Sequence, residues 1–259
     1  MRVLDCESAA SIYDSLLKSY GIERLAISGV FDRLKDKHAY PDMVHDSELI
    51  FELNRLANSY VMFDAVYWFH LGRSFPPQVG FEDGILPLGE AIDGIWDSLH
   101  PLVTHFSATQ WSEFRQGMEH DFPDQIAGVH DYCLKVSESF HWGPFGYLGL
   151  EVAIQDHRAT RVFTRYWDQS EVIENICNCF LEKEGIDLLR LFKESTQPLI
   201  VKFISHRWND TYLERAIRFL YLAHIHQPDS SLLGACFDGE GKRVAPEDIV
   251  ERRFIKLDE

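Results

Sequence analysis

The chain has 259 residues, of which 46% are hydrophobic and 13% aromatic, so it can bury a core and is not intrinsically disordered. Its formal net charge of −16 at pH 7 disfavours general binding to nucleic-acid phosphates. The sequence contains no run of 18 uninterrupted apolar residues and has an acid at Asp5 near its N-terminus, which predicts a cytoplasmic protein without membrane insertion.

The first predicted helices follow from apolar spacing and from the residues that end them. One helix spans Ser8 to Ser19 and ends at Gly21. A second spans Asp46 to Leu71, since its apolar residues recur at three- and four-residue intervals. Glycines and prolines then end it, because proline lacks an amide donor and glycine allows a left-handed exit: Gly72, Pro76, Pro77 and Gly80.

A third predicted helix runs up to Leu99. Its apolar face consists of Ile85, Leu88, Ile92, Ile95, Trp96 and Leu99. Pro101 stops it, because the residue before a proline is pushed out of the helical region. With the helix before it, this segment predicts an antiparallel helical hairpin with an aromatic seam.

Residues 63–102 resemble a known family. The AVYW run, the Gly80-Phe81 pair and the segment from Asp83 to Leu102 are similar to the N-terminal (ImpA-related) domain of TssA-type components of the bacterial type VI secretion system. In that family an apolar helix meets a GF turn, and the next helix closes in tryptophan, an acidic residue, leucine, histidine and proline. A weaker similarity covers residues 223–233, AHIHQPDSSLL.

The resemblance implies a non-enzymatic role in secretion assembly, without a cofactor. The expected partners are secretion sheath, baseplate or membrane-complex proteins, with a homo-oligomer also open. The residues that would hold the hairpin or contact a partner are Trp68, Phe81, Trp96, Leu99, His100 and Pro101.

The rest of the chain is predicted to be mostly helical. Ser107 and Gln110 have the spacing of a capping box. Further helices are predicted over 123–140, 147–167, 170–184 with Gly185 closing it, 186–194 and 210–226. Residues 235–244 predict a small hairpin turning at Gly239 and Gly241, and 252–257 a further strand. The fold class is therefore mostly α, a multi-helix bundle with a small C-terminal β-hairpin, divided into helical subdomains 1–142 and 143–259 or forming a single domain.

An enzymatic alternative rests on acidic residues three positions before a histidine. Asp97 with His100, and Glu138 with His141, would share a helix face, as in di-metal carboxylate bundles. Asp131 lies two turns before Glu138. These residues predict, in this alternative, a site for iron, manganese or zinc.

Other patterns leave further readings open. Arg218 and His224 have the Arg-x5-His spacing of HEPN-type ribonucleases, although a surface cation and an interfacial histidine explain them more simply. His206 and His226 with His224 form a possible ligand cluster without the context of a zinc motif.

The aromatic loop 141–149 is either a partner groove or a plain connection. An acidic immunity protein that covers a basic toxin is the third functional alternative.

The five cysteines predict a reducing compartment, because their number is odd and their spacing is not that of a disulfide framework. Cys177 and Cys179 would point away from each other on a helix, which argues against joint metal binding. They are expected to be small buried hydrophobic residues.

Overall fold

The structure, a computed structural model, describes residues 1–38, 40, 43–123, 126, 128–152 and 170–255. The named α-helices are α1 (Ala9–Tyr20), α2 (Arg24–Lys37), α3 (Asp46–Ala57), α4 (Leu88–Leu99), α5 (Ala108–His120), α6 (Val129–Ser137), α7 (Glu171–Glu184), α8 (Leu188–Ser195) and α9 (Asp210–His224). The strands are β1 (Val3–Leu4), β2 (Ala65–Ser74), β3 (Phe145–Tyr147), β4 (Gln197–Ser205), β5 (Cys236–Asp238) and β6 (Ile249–Phe254).

These strands form a sheet in the order β5-β3-β2-β4-β6, with β1 also paired to β2. β1 runs parallel to β2, with Val3 opposite Ala65, whereas β3 runs antiparallel to β2, with Tyr147 opposite Phe69. The fold is therefore α/β, and the prediction of a mostly helical bundle with a small C-terminal hairpin is wrong. The spacing of apolar residues did not reveal the fold class, because each strand pairs with residues that are far away in the sequence.

The described residues gather into two compact units, each built from three chain segments. The first unit contains the described residues within Met1–Phe69, Gly146–Thr160 and Lys202–Phe237. The second contains the described residues within His70–Phe145, Arg161–Val201 and Asp238–Glu259. The continuous subdomains 1–142 and 143–259 stay a prediction.

The predicted helix from Asp46 to Leu71 is wrong beyond Ala57. Helix α3 ends there, and Asn58 follows it in the left-handed conformation with φ 52°. The AVYWF run instead forms β2, as expected for aromatic and β-branched residues that pack on both faces of a buried strand. The helical hairpin therefore does not form, and Gly72 lies inside a strand rather than at the end of a helix.

Local capping signals are confirmed. The Ser8 hydroxyl accepts a hydrogen bond from the backbone N–H of Ser11 at the start of α1, and Gly21 ends this helix with φ 67°. Ser170 and Gly185 cap α7 in the same way. The capping box of Ser107 forms at the start of α5.

The second unit has an aromatic core centred on Trp96. This tryptophan is 1% exposed, and its ring centroid lies 5.2 Å from that of Trp111 and 5.9 Å from that of Phe114. The indole N–H of Trp96 donates to the Tyr132 hydroxyl at 2.9 Å. The predicted apolar face of α4 is thus buried, which stabilises this helix much as the sequence indicated.

The prediction of a hairpin over 235–244 is wrong, because its two arms do not pair with each other. A turn does form at Gly241, but β5 pairs with β3, and Val244 bridges to Ile85. β6 confirms that a strand lies near the end of the chain. The helix predicted over 147–167 falls mainly outside the described residues, while Tyr147 itself belongs to β3.

All five cysteines are free thiols. Burial raises the pKa of Cys177 to about 12 and that of Cys179 to about 11, so both thiols stay protonated at neutral pH. Both are buried, as the sequence predicted. Among the described helices, none is long and apolar enough to cross a membrane.

Candidate functional site

The candidate site centres on His70, a partly buried residue of β2. Its Nδ1 atom lies 2.7 Å from the backbone carbonyl oxygen of Phe145. A carbonyl oxygen only accepts hydrogen bonds, so Nδ1 must carry the ring proton. In the neutral ring Nε2 is then unprotonated, and no hydrogen bond to Nε2 is found within the described part of the chain.

The ionisation of His70 follows from its surroundings. Burial lowers the pKa of His70, because loss of water disfavours the imidazolium, while the hydrogen bond to Phe145 acts in the opposite direction. The net effect keeps the ring neutral at pH 7. A neutral imidazole with a fixed Nδ1–H can accept a hydrogen bond or a proton at Nε2.

Gly72 and Phe81 define the space beside Nε2. His70 and Gly72 are two residues apart on β2 and so share one face of the strand. A Cβ atom at Gly72 would lie 4.0 Å from Nε2 and 3.2 Å from the Phe81 ring. The Phe81 ring meets the imidazole edge-on at a centroid distance of 5.6 Å. The glycine therefore leaves room for the Phe81 ring, which supplies an apolar wall beside the imidazole.

The loop between β2 and α4 holds Phe81 in an unusual conformation. Phe81 has φ 63°, a region that bulky residues rarely occupy, and Gly80 before it has φ 73°. The Phe81 carbonyl accepts hydrogen bonds from Arg252 Nη2 at 2.7 Å and from the Gly84 N–H at 3.2 Å. The ring is thus placed next to His70 by backbone contacts as well as by packing.

The six residues selected from the family resemblance do not form one surface. Trp68, Trp96 and Leu99 are at most 1% exposed and belong to cores. His100 is partly buried, with its ring stacked 5.5 Å from that of Trp111 and its Nε2 atom 3.0 Å from the carbonyl of Phe106. Pro101 is exposed, and Phe81 adjoins His70. Only Phe81 of this set therefore contributes to the candidate site.

Two of the predicted metal ligands, Asp97 and Asp131, lie within α-helices, and the other three lie at or beyond the ends of α-helices. Glu138 and His141 follow the end of α6, with Oε2 and Nε2 3.9 Å apart, and Asp131 is an exposed residue within α6. Asp97 is exposed on α4, and His100 is engaged by a backbone carbonyl. The described ranges hold no group of three or more histidine, cysteine or acidic residues placed to bind a metal. The metal alternative stays a prediction.

Arg218 and His224 bind different acids instead of converging. Arg218 Nε lies 2.7 Å from Asp46 Oδ1, and His224 Nε2 lies 2.7 Å from Asp32 Oδ1. These contacts join α9 to α3 and to α2. His206 and His226 are both exposed residues. The Arg-x5-His spacing therefore serves helix packing in this geometry.

Sequence reasoning missed an ion cluster in the first unit. Lys202 of β4 is 8% exposed, and its Nζ lies 2.6 Å from Asp5 Oδ2 and 2.8 Å from Glu7 Oε2. Nζ also sits 4.8 Å from the ring centroid of Tyr67. Burial alone would lower the pKa of Lys202, but the hydrogen bonds to the two carboxylates outweigh it and raise this pKa. A single lysine within the apolar run LIVKFI was the available signal.

His70 was also missed, because the AVYWFHLGRS run was assigned to a helix. Its aromatic and β-branched residues, bounded by Asp64 and Pro76, are typical of a buried strand. On that strand, His70 is a titratable residue among apolar neighbours, and such a residue calls for a partner. The partner, Phe145, is 75 residues away and has no local signal.

The chain was compared with models of protein families, with curated proteins and with solved structures. None of the three comparisons found a match. The resemblance of residues 63–102 to TssA-type proteins stays a prediction.

Proposed function

We propose that the protein binds a small hydrogen-bond-donating ligand at Nε2 of His70, which acts as acceptor and as base. The contact between Nδ1 and the Phe145 carbonyl carries this proposal, because it leaves the lone pair of the neutral ring on Nε2. A ligand O–H or N–H that gives its proton to Nε2 would produce an imidazolium. That cation still donates its Nδ1–H to Phe145, so the ring keeps its orientation during the transfer.

The surroundings of Nε2 restrict the ligand. Phe81 packs against Gly72 and provides an apolar flank beside the imidazole. The formal charge of −16 disfavours the approach of anions. The ligand class is therefore a neutral or cationic molecule with an O–H or N–H donor beside an apolar surface.

A fragment screen tests this function. Ligand-observed NMR on the wild-type protein should give binders whose signals are lost in His70→Phe, which removes Nε2 but keeps a ring. His70→Gln should keep part of the binding, because its amide can donate to Phe145 and still offer an acceptor. His206→Phe, at an exposed histidine, is the matched control and should bind as wild type does. Binders that are insensitive to His70→Phe would refute the proposal.

A second candidate function is favoured by exposed aromatic residues. Phe140 is 67% and Phe145 44% exposed, next to or within the loop 141–149, for which the sequence left open a partner groove or a plain connection. We propose as this second candidate that the two rings dock a protein partner and that the chain is a cytoplasmic, non-enzymatic component of a secretion assembly. The partner would be a sheath, baseplate or membrane-complex protein, as the family resemblance implies.

Capture of purified assembly proteins tests this candidate. Phe140→Ser should reduce capture at least tenfold without unfolding the protein, because interface energy concentrates in a few aromatic anchors. Phe51→Ser is the matched control, since Phe51 is 66% exposed on α3. Equal capture by wild type and by the Phe140 variant would remove the candidate.

A further inference from the structure

Resting on the proposed function, we propose that residues 75–84 form a lid over His70. The hydrogen bond from Arg252 of β6 to the carbonyl of Phe81 holds this lid closed. In this account the Phe81 ring controls access to Nε2, and breaking the bond to Arg252 opens the site.

The closed position is visible in the packing of Phe81. Its ring lies edge-on against the imidazole of His70 and beside Gly72, where a side chain would meet it. Any ligand that reaches Nε2 from this side must therefore pass the ring. The ring is only partly buried, so its outward rotation disrupts little of the core.

The backbone of the lid is strained at Phe81, and this strain favours opening. Phe81 is held at φ 63°, which is strained for a residue with a bulky side chain, and Gly80 beside it tolerates a wide range of conformations. A contact that maintains such strain is released when its partner is removed. Arg252 is exposed, so water competes for its guanidinium and for the Phe81 carbonyl.

The other end of the lid is fixed. Gly84 has φ 90°, and its backbone packs so closely on Val244 that a Cβ atom would lie 2.1 Å from the Val244 carbonyl oxygen. Ile85 next to it exchanges both backbone hydrogen bonds with Val244. Movement is thereby confined to the part of the loop that carries Phe81, and Gly84 marks its end.

The reactivity of His70 with diethylpyrocarbonate, measured by mass spectrometry at pH 7, tests the lid. The reagent attacks an unprotonated imidazole nitrogen, so the rate reports access to Nε2. Phe81→Ala should raise the rate at least tenfold, and this rate defines the reactivity of His70 with the site open. Arg252→Met should raise it about fivefold, and Arg252→Lys, which keeps a donor, should raise it less.

Arg253→Met is the matched control, because Arg253 is the next residue of β6 and pairs with Glu251. It should react at the wild-type rate. A wild-type rate in Arg252→Met together with a fast rate in Phe81→Ala would show that the hydrogen bond from Arg252 does not hold the lid closed. Wild-type rates in both variants would show that residues 75–84 do not cover His70. Neither result bears on ligand binding, whose failure would appear separately as fragments that bind regardless of His70.

Discussion

Lys202 and His70 are both polar residues of central strands, the first buried and the second partly buried, yet their surroundings differ in one respect. Lys202, in the first unit, meets two carboxylates and an aromatic ring. His70, in the second unit, is fixed through Nδ1, while no hydrogen bond to Nε2 is found among the residues that the structure describes. The lysine is engaged on several sides, and the histidine is engaged on one.

The difference separates a structural site from one that can bind a ligand. Buried charges stabilise a fold only when their partners are present, so a charge enclosed by its counterions has little capacity for chemistry. A neutral imidazole costs less to bury than a charge does, and when it is held by one nitrogen it keeps the other nitrogen available. We therefore expect substitutions in the two places to affect different properties.

The largest expected effect is on stability at Lys202. Lys202→Met leaves Asp5 and Glu7 close together without their cation, which should cost about 3 to 5 kcal/mol of the free energy of unfolding. Urea denaturation followed by circular dichroism measures it. The triple variant Asp5→Asn, Glu7→Gln, Lys202→Met should recover most of the loss, because it removes all three charges. A single variant as stable as wild type would show that the cluster is not structural.

The second expected effect is a pH dependence of the free energy of unfolding that arises from His70. Burial lowers the pKa of His70 in the folded state below its ordinary value of 6.5, so the unfolded chain binds the proton more readily. Stability contributed by the neutral ring is complete above pH 6.5 and is lost as the pH falls through the folded-state pKa. The free energy of unfolding of wild type should therefore fall more steeply than that of His70→Gln between pH 7.5 and 5.

Lys202 should behave in the opposite sense. Its raised pKa means that its contribution to stability is complete below pH 10.5 and is lost only as the pH rises above that value.

The prediction for His70 would be contradicted if the free energy of unfolding fell equally with acid in wild type and in His70→Gln. Exposed His206, replaced by glutamine, provides the control for a histidine at the surface.

The smallest expected effect is at Gly72. The Cβ atom of Gly72→Ala would stand 3.2 Å from the Phe81 ring, which must shift, at a cost of about 1 kcal/mol. Gly29→Ala is the matched control, since nothing lies within 4 Å of a Cβ there and alanine favours helix α2. The control should gain about 0.5 to 1 kcal/mol in the same denaturation assay. A stabilised Gly72→Ala would show that Phe81 does not approach this position.

Helix ends could be predicted from sequence because the interactions that set them are local. Ser8, Ser107 and Ser170 each bond to a backbone amide three residues along the chain. Gly185 ends α7 through its own left-handed conformation. The apolar face of α4 was predictable for a similar reason, since its spacing repeats within one helix.

The sheet and the candidate site could not be predicted in this way. The AVYWF run satisfies the spacing of a helix as well as the composition of a strand, and its partners at Val3 and Tyr147 decide the outcome. The tautomer of His70 depends on Phe145, and the position of Phe81 depends on Arg252, 171 residues further along. Such contacts arise from the folded chain and leave no local pattern.

The tautomer of His70 is the central claim, and its side-chain nitrogen chemical shifts test it most directly. Protein labelled with ¹⁵N at histidine, with His70→Gln used to assign the signals, should show a protonated Nδ1 and an unprotonated Nε2 for His70 at pH 7. His206→Gln, at an exposed histidine, is the control for the effect of such a substitution on the other signals. A protonated Nε2 at His70, in either the neutral or the charged ring, would contradict the account.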